Sequence, residues 1–176
     1  FLLRRMPPPG QRTSMLFSAT LSHRVMELAY DHMNDPEELK TEATEVTAEG
    51  VTQSLYQPAQ DEKIGLLLGL LRDLRPPRSM VFVNTKRTAE RIESYLVGND
   101  IVCGLLSGDV RQNKRQRILA EFTAGKIPLL IATDVAARGL HIDDVSHVFN
   151  YDLPQQAEDY VHRIGRTARA GSQGVA

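Results

Sequence analysis

The chain has 176 residues, 41% hydrophobic and 24% charged, enough apolar side chain for one packed domain with part of another, and unlike a disordered chain or a coiled coil. Lys and Arg total 21 against 22 acidic residues, and the net charge of −1 excludes a globally basic nucleic-acid binder while leaving room for a local basic strip. A lone Cys103 excludes a disulfide framework and a cysteine zinc site, and no apolar run approaches the ~20 residues needed to cross a bilayer.

Phe1-Leu2-Leu3 shows neither a basic leader nor a cleavage pattern, so it is not read as a signal peptide. The apolar run Met15-Leu16-Phe17 leads into Ser18-Ala19-Thr20. A helix-period segment follows, with Val25, Leu28, Ala29 and Met33 on one face and Pro36 as its stop. Residues 42–50 are polar without a periodic apolar face and read as a linker, which fully extended would span about 30 Å.

From Val51 onward strands and helices alternate. Strands are expected at 52–56, 79–83, 102–106, 129–133 and 147–151, and helices at 61–74, 88–97, 110–124 and 155–164. The runs Met80-Val81-Phe82-Val83 and Leu129-Leu130-Ile131-Ala132 are continuously apolar. A strand covered by helices on both faces needs that, so the sheet is expected to be parallel. Repeated β-α units with short links predict a doubly wound α/β sheet, whose ligands sit beyond the carboxyl ends of the strands. At the far end, residues 171–176 read as a turn and the first residues of a strand. Both ends are taken as internal to a longer protein.

The informative residues therefore follow each strand. Asn84-Thr85-Lys86-Arg87, Ser107-Gly108-Asp109 and Thr133-Asp134-Val135-Ala136-Ala137-Arg138-Gly139 each place a small or hydroxyl residue near a helix start with cations close by. Backbone N–H groups and cations so placed suit phosphate oxygens, and repeated along one edge they suit a chain of phosphates. Taken singly, Thr85 and Asp109 read as ordinary helix N-caps, residues 111–117 as a solvated face, and Gly108 and Gly139 as turn residues.

The last helix ends near Gly165, and Arg166 and Arg169 follow on a loop with no acid between Asp159 and Ala176. Guanidinium groups in such a loop seek an external anion, although the same spacing suits an RNA-contacting or solubilising loop. His162 and His141 taken singly read as structural hydrogen-bonders. No phosphate loop, no metal-binding His-Glu pattern and no His–acid partner for Ser18, Ser107 or Thr133 is present in the sequence. If phosphoryl chemistry occurs, this chain supplies only part of it.

Together these segments resemble the DEAD-box ATP-dependent RNA helicases, in particular the bacterial type associated with the RNA degradosome. Phe17-Ser18-Ala19-Thr20 is similar to the Ser-Ala-Thr motif closing the first RecA-like domain, and Val81-Phe82-Val83-Asn84-Thr85 to the motif opening the second. Ser107-Gly108-Asp109 with Gln112 and Arg115 resembles an RNA-backbone element. The stretch from Ala132 to Leu140 resembles the motif that meets RNA through Thr133 and nucleotide through Gly139. His162-Arg163-Ile164-Gly165-Arg166-Thr167-Ala168-Arg169 is similar to the arginine-finger motif.

The resemblance implies a fold: a RecA-like doubly wound parallel sheet truncated at both ends. Residues 1–41 would be the remnant of the first domain, 42–50 the linker, and 51–176 the second domain without its last strand and helix. It implies roles as well. Arg166, Arg169 and His162 would be catalytic, and Gly139, His141, Arg166 and Arg169 would hold nucleotide. Thr85, Gly108, Asp109, Gln112, Arg115 and Thr133 would hold RNA, while Ser18, Thr20, Arg138 and Arg163 would couple the domains. The cofactor would be ATP with Mg2+, its metal ligands in the first domain. Partners would be RNA, the first RecA-like domain and an endoribonuclease of a degradosome-like complex, in the cytoplasm and without a membrane.

Two departures stand out. His141 replaces the acid that usually holds the ribose. Ala168 replaces a common Gly between the fingers, at small cost if φ there is negative. The isolated chain is expected to lack ATPase activity. The rival reading is a non-catalytic RNA-binding or docking module on the same fold.

Overall fold

The two continuously apolar runs form adjacent strands near the centre of the sheet. In the computed structural model, β2 (Ser79–Val83) and β4 (Leu129–Thr133) pair in parallel, from Ser79 with Leu129 through Val83 with Thr133. Their side chains alternate between two cores. Met80, Phe82, Leu130 and Ala132 enter one, and Val81, Val83, Leu129 and Ile131 the other. With a helical layer on each face, neither strand has a polar side, which is why the pattern runs unbroken.

The structure describes residues 5–17, 23–39, 50–138, 140, 142, 145–168 and 173–176. It divides into two compact units, Phe1–Glu45 and Val46–Ala176. The linker expected at 42–50 lies, except for Gly50, outside the described residues.

The first unit contains a short 3-10 turn (Pro9–Gln11) and α1 (His23–His32). Arg12 organises it. Its guanidinium donates to Ser14 Oγ, to the Pro7 carbonyl and, at 2.7 Å, to the His32 carbonyl at the end of α1, satisfying a helix-end acceptor. Of the expected apolar face, Ala29 is buried while Leu28 is 47% exposed, and Met15, Phe17, Tyr30 and Leu39 are exposed too.

The second unit runs through β1 (Val51–Thr52), α2 (Lys63–Leu74), β2, α3 (Lys86–Val97), β3 (Cys103–Leu106), α4 (Gln112–Thr123), β4, α5 (Asp134–Ala137), β5 (His147–Asn150), α6 (Ala157–Ile164) and β6 (Gly174–Val175). The strands form one sheet in the order β1-β6-β5-β2-β4-β3, every pair parallel. Ile64, Leu67, Leu68 and Leu71 of α2 and Ala89, Ile92 and Leu96 of α3 cover one face. Ile118 and Phe122 of α4, with Ala136 and Ala137 of α5, pack into the other core.

Local chemistry sets several boundaries. Thr85 caps α3, its Oγ1 accepting from the Thr88 amide at 3.1 Å, so that helix starts two residues before the expected 88. Arg75 closes α2 at φ 43° with a left-handed C-cap. Gly104 of β3 permits close approach of α4, since a Cβ there would lie 2.8 Å from Ile118. Strand β1 is shorter than the expected 52–56, with Leu55 and Tyr56 exposed beyond it. The helix start noted after Thr133 is a single turn, α5, which was not among the expected helix ranges. Among the described residues no helix is long and apolar enough to cross a membrane.

Candidate nucleotide and RNA interface

The site begins with one buried guanidinium. Arg163, on α6, is 1% exposed. It grips both carboxylate oxygens of Asp134, each at 2.7 Å, and donates to Asn84 Oδ1 at 3.0 Å, Asn150 Oδ1 at 3.3 Å and the Asp152 carbonyl. Its charge also lies 5.2 Å from the centre of the Phe82 ring. These partners come from the last residue of β5 and from just beyond β2, β4 and β5. One planar fork, matched to a carboxylate on one side and amide oxygens on others, thus fixes three strand ends together.

Asp152 extends the junction. Its carboxylate accepts from the Asn84 amide at 3.0 Å and from Lys63 Nζ at 3.0 Å, and Lys63 also lies over the Tyr151 ring. The backbone entering Thr85 is thus held by the Asp152 side chain, two residues beyond β5, which Lys63 of α2 braces in turn. Every fully buried side-chain nitrogen and oxygen among the described residues has a partner, as a buried polar network requires.

The expected site residues fall into distinct settings. Thr85 is the α3 N-cap, so the capping role is present. Asp109 is not a cap, because α4 starts at Gln112 with Arg111 in the capping position. Its carboxylate pairs instead with Lys86, which also faces Glu90 one helical turn on. This hydrogen bond and charge pairing raise the Lys86 pKa. Gly108 is exposed, and a Cβ there would meet no atom. Gln112 opens α4, and Arg115 reaches across to the Ala136 carbonyl. Thr133 precedes α5 without a capping bond from its side chain.

Arg138 pairs with Asp159 at 3.1 Å, and His162 is exposed on α6. Arg166 donates to the His162 carbonyl at 3.2 Å and the Leu140 carbonyl at 3.0 Å, which brings the loop after α6 against the chain after α5. Ser18, Thr20, Gly139, His141 and Arg169 lie outside the described residues.

One expectation is corrected. Ala168 has φ 54°, not the negative value under which replacing glycine would cost little. After α6 the Arg166 and Thr167 amides bond back to the Arg163 and Ile164 carbonyls, and the chain leaves this tight turn through a left-handed residue. An L side chain there costs about 1–2 kcal/mol.

Sequence reasoning also missed Asn150, Asp152 and Lys63 as parts of the junction. For Asn150 and Asp152 the signal was a polar residue at or just past the end of a strand, which the period-2 pattern reads only as a strand end, whereas Lys63 opens α2 and reads as one more solvated cation. Cys103 is half-buried, and burial followed by the nearby Glu93 charge pushes its thiol up to about 11, leaving it protonated near neutrality.

The parallel sheet, helices on both faces and polar groups converging beyond its carboxyl edge define a RecA-like α/β domain. The helicase conserved C-terminal domain matches residues 62–171, and the chain belongs to that family. It is similar to the ATP-dependent RNA helicase RhlB of Psychromonas ingrahamii, 56% identical over all of this chain and 42% of that protein. It therefore spans less than half the length of this relative. Among solved structures it resembles S. cerevisiae Dbp5 bound to RNA and ADP BeF3, with a TM-score of 0.72, 34% identity, and coverage of 91% of this chain and 43% of that one. It also resembles the E. coli DEAD-box protein SrmB bound to regulator of ribonuclease activity A, with a TM-score of 0.63, 41% identity and 72% coverage of each chain.

Proposed function

We propose that this chain is the C-terminal RecA-like part of an ATP-dependent RNA helicase that remodels RNA through RNA-stimulated ATP hydrolysis. The observation that carries the reading is the Arg163 junction. It fixes the Asn84, Asp134 and Asp152 segments together and continues within three residues into Arg166. A nucleotide-side residue and an RNA-side loop are then parts of one rigid assembly.

In this reading the protein's first RecA-like domain holds ATP and its Mg2+. The described residues of this chain contain no group of three or more metal-capable side chains. Arg166 and Arg169 offer guanidinium donors to the transferring phosphoryl group, a contribution worth about 10³–10⁵ in rate. Gly139 and His141 line the nucleotide, and His162 relays its state. Arg138, Arg163, Ser18 and Thr20 couple the domains, Arg163 acting through the strand ends that it holds.

RNA lies along Thr85, Gly108, Asp109, Gln112, Arg115 and Thr133, which grip sugar and phosphate rather than base edges. Two details support that surface. Gly108 has open space where a side chain would stand, so nothing in the fold demands glycine there, whereas close approach by a ligand backbone does. The Thr133 side chain makes no capping bond at α5. The resemblance to degradosome-associated DEAD-box helicases extends the proposal to a cytoplasmic setting and to an endoribonuclease as partner.

The test is RNA-stimulated ATP hydrolysis by the full-length protein. Arg166→Ala is expected to lower turnover by about 10³-fold or more while RNA binding persists. Turnover within twofold of the unmodified protein overturns the finger assignment.

A further inference from the structure

The segment that carries Arg166 needs a fixed backbone, and the residue next to it is unusually constrained. Thr167 is 3% exposed although it sits in a turn. Its Oγ1 donates to the Ser146 carbonyl at 3.3 Å, an oxygen that also accepts from the Val175 amide. Its side chain lies directly on the backbone of Gly174 in β6. A Cβ on Gly174 would stand 2.2 Å from Thr167 Oγ1, 2.6 Å from Cγ2 and 2.8 Å from Cβ. Gly174 is itself held between neighbours, its amide bonded to the Gly50 carbonyl at 2.9 Å and its strand paired with β1 and β5.

We infer that Thr167 and Gly174 form a clip that positions the arginine-bearing loop against the sheet. Thr167 is a positioning residue: it acts through Arg166 and does not touch substrate. The inference rests on the finger reading of Arg166 given above.

The physical case is one of over-determination. Between Ile164 and Ala168 the chain leaves α6, bonds twice to its own last turn, and exits through a left-handed residue. A turn that ends in an unfavourable backbone region persists only when its surroundings enforce it. The surroundings here are the Thr167 contacts. Its hydroxyl binds the backbone just before β5, and its methyl and Cβ fill a space that exists only because residue 174 is glycine. Arg166, one residue back, is held in turn by its bonds to the His162 and Leu140 carbonyls. Displacing Thr167 therefore moves the base of a side chain whose usefulness depends on sub-ångström placement, while the Thr85 and Gly108 loops stay where β2 and β3 put them.

The experiment compares Thr167→Val, Gly174→Ala and Arg166→Ala in the full-length protein, measuring kcat, the KM for ATP, RNA affinity and thermal unfolding. The valine keeps shape and loses the donor; the alanine keeps the donor and forces Thr167 away. Both are expected to lower kcat, Gly174→Ala by about 10- to 100-fold and Thr167→Val by less, with RNA affinity within twofold. Thr167→Ser, which retains the hydroxyl, should recover most of the loss seen with valine. If Gly174→Ala does not fold, the valine and serine pair decides alone. Normal kcat in the clip variants alongside a depressed Arg166→Ala overturns the clip. So does a fall in RNA affinity that tracks lost stability. Normal turnover in Arg166→Ala overturns the finger reading and the clip with it.

Discussion

Two of the ion pairs beyond the carboxyl ends of this sheet differ in nearly every respect that matters. Arg163 and Asp134, beside β2, β4 and β5, are 1% and 26% exposed and meet in a bidentate fork with further hydrogen bonds. Lys86 and Asp109, beside β3, are 47% and 70% exposed and meet through a single ammonium contact. In the first the guanidinium is closed to water and the carboxylate only partly open, so losing the carboxylate strands a buried charge. The second is exchangeable, because water and salt substitute freely for either group.

The sharpest way to break this comparison is Arg163→Met. Methionine fills some of the volume and removes all five donated bonds, leaving the Asp134 carboxylate and the Asn84 and Asn150 amides without their shared partner. A loss of about 3–5 kcal/mol in urea unfolding of the second unit's transition is expected. Arg163→Lys should recover little of it, since an ammonium cannot span the same acceptors. A loss near 1 kcal/mol or less would mean that the strand ends hold themselves together.

How much of this was legible beforehand follows the same division. Strands β2 and β4 were readable to the residue because full burial on both faces leaves an unbroken apolar run. Helix α3 ends at the expected Val97, and its start, expected at 88, lies at Lys86 directly after Thr85, which was already read from its hydroxyl as an N-cap. The helical turn α5 carries too few residues to show a period. The order of strands depends on crossovers between segments dozens of residues apart, on which local pattern is silent. The Arg163 network was hidden for a related reason. A buried arginine among Tyr160, Val161 and Ile164 looks like one more cation on the polar side of a helix, and only the folded sheet brings Asn84 and Asp134 to it.

A smaller effect sharpens the description of the loop after α6. Ala168→Gly relieves the left-handed backbone at φ 54°, a gain of about 1–2 kcal/mol, and it adds freedom to the unfolded chain that returns about 0.4–1 kcal/mol. The balance is a stabilisation of about 1 kcal/mol, visible as a higher urea midpoint. A lower midpoint would show that Ala168 does not hold this conformation in solution, and the comparison would then rest on Arg163 alone.

The smallest stability effect belongs to the exposed pair. On the proposal that RNA lies along Thr85 and Asp109, with the neighbouring Lys86 ammonium adding one phosphate contact, Lys86→Gln is expected to leave the urea midpoint unchanged while reducing the slope of log RNA affinity against log salt by about 0.7, the share of one such contact on a single strand. The pH dependence follows from the same pairing. The Lys86 pKa is raised, chiefly by its hydrogen bond to Asp109, so the contact is complete below the ordinary lysine range and is lost only as pH rises through the higher folded value. Neither stability nor the salt slope should therefore respond to Lys86 between pH 6 and about 9. A midpoint shift as large as that of Arg163→Met would mean that exposure does not separate the two pairs, since a solvated ammonium that holds the fold together cannot also be on loan to a passing phosphate.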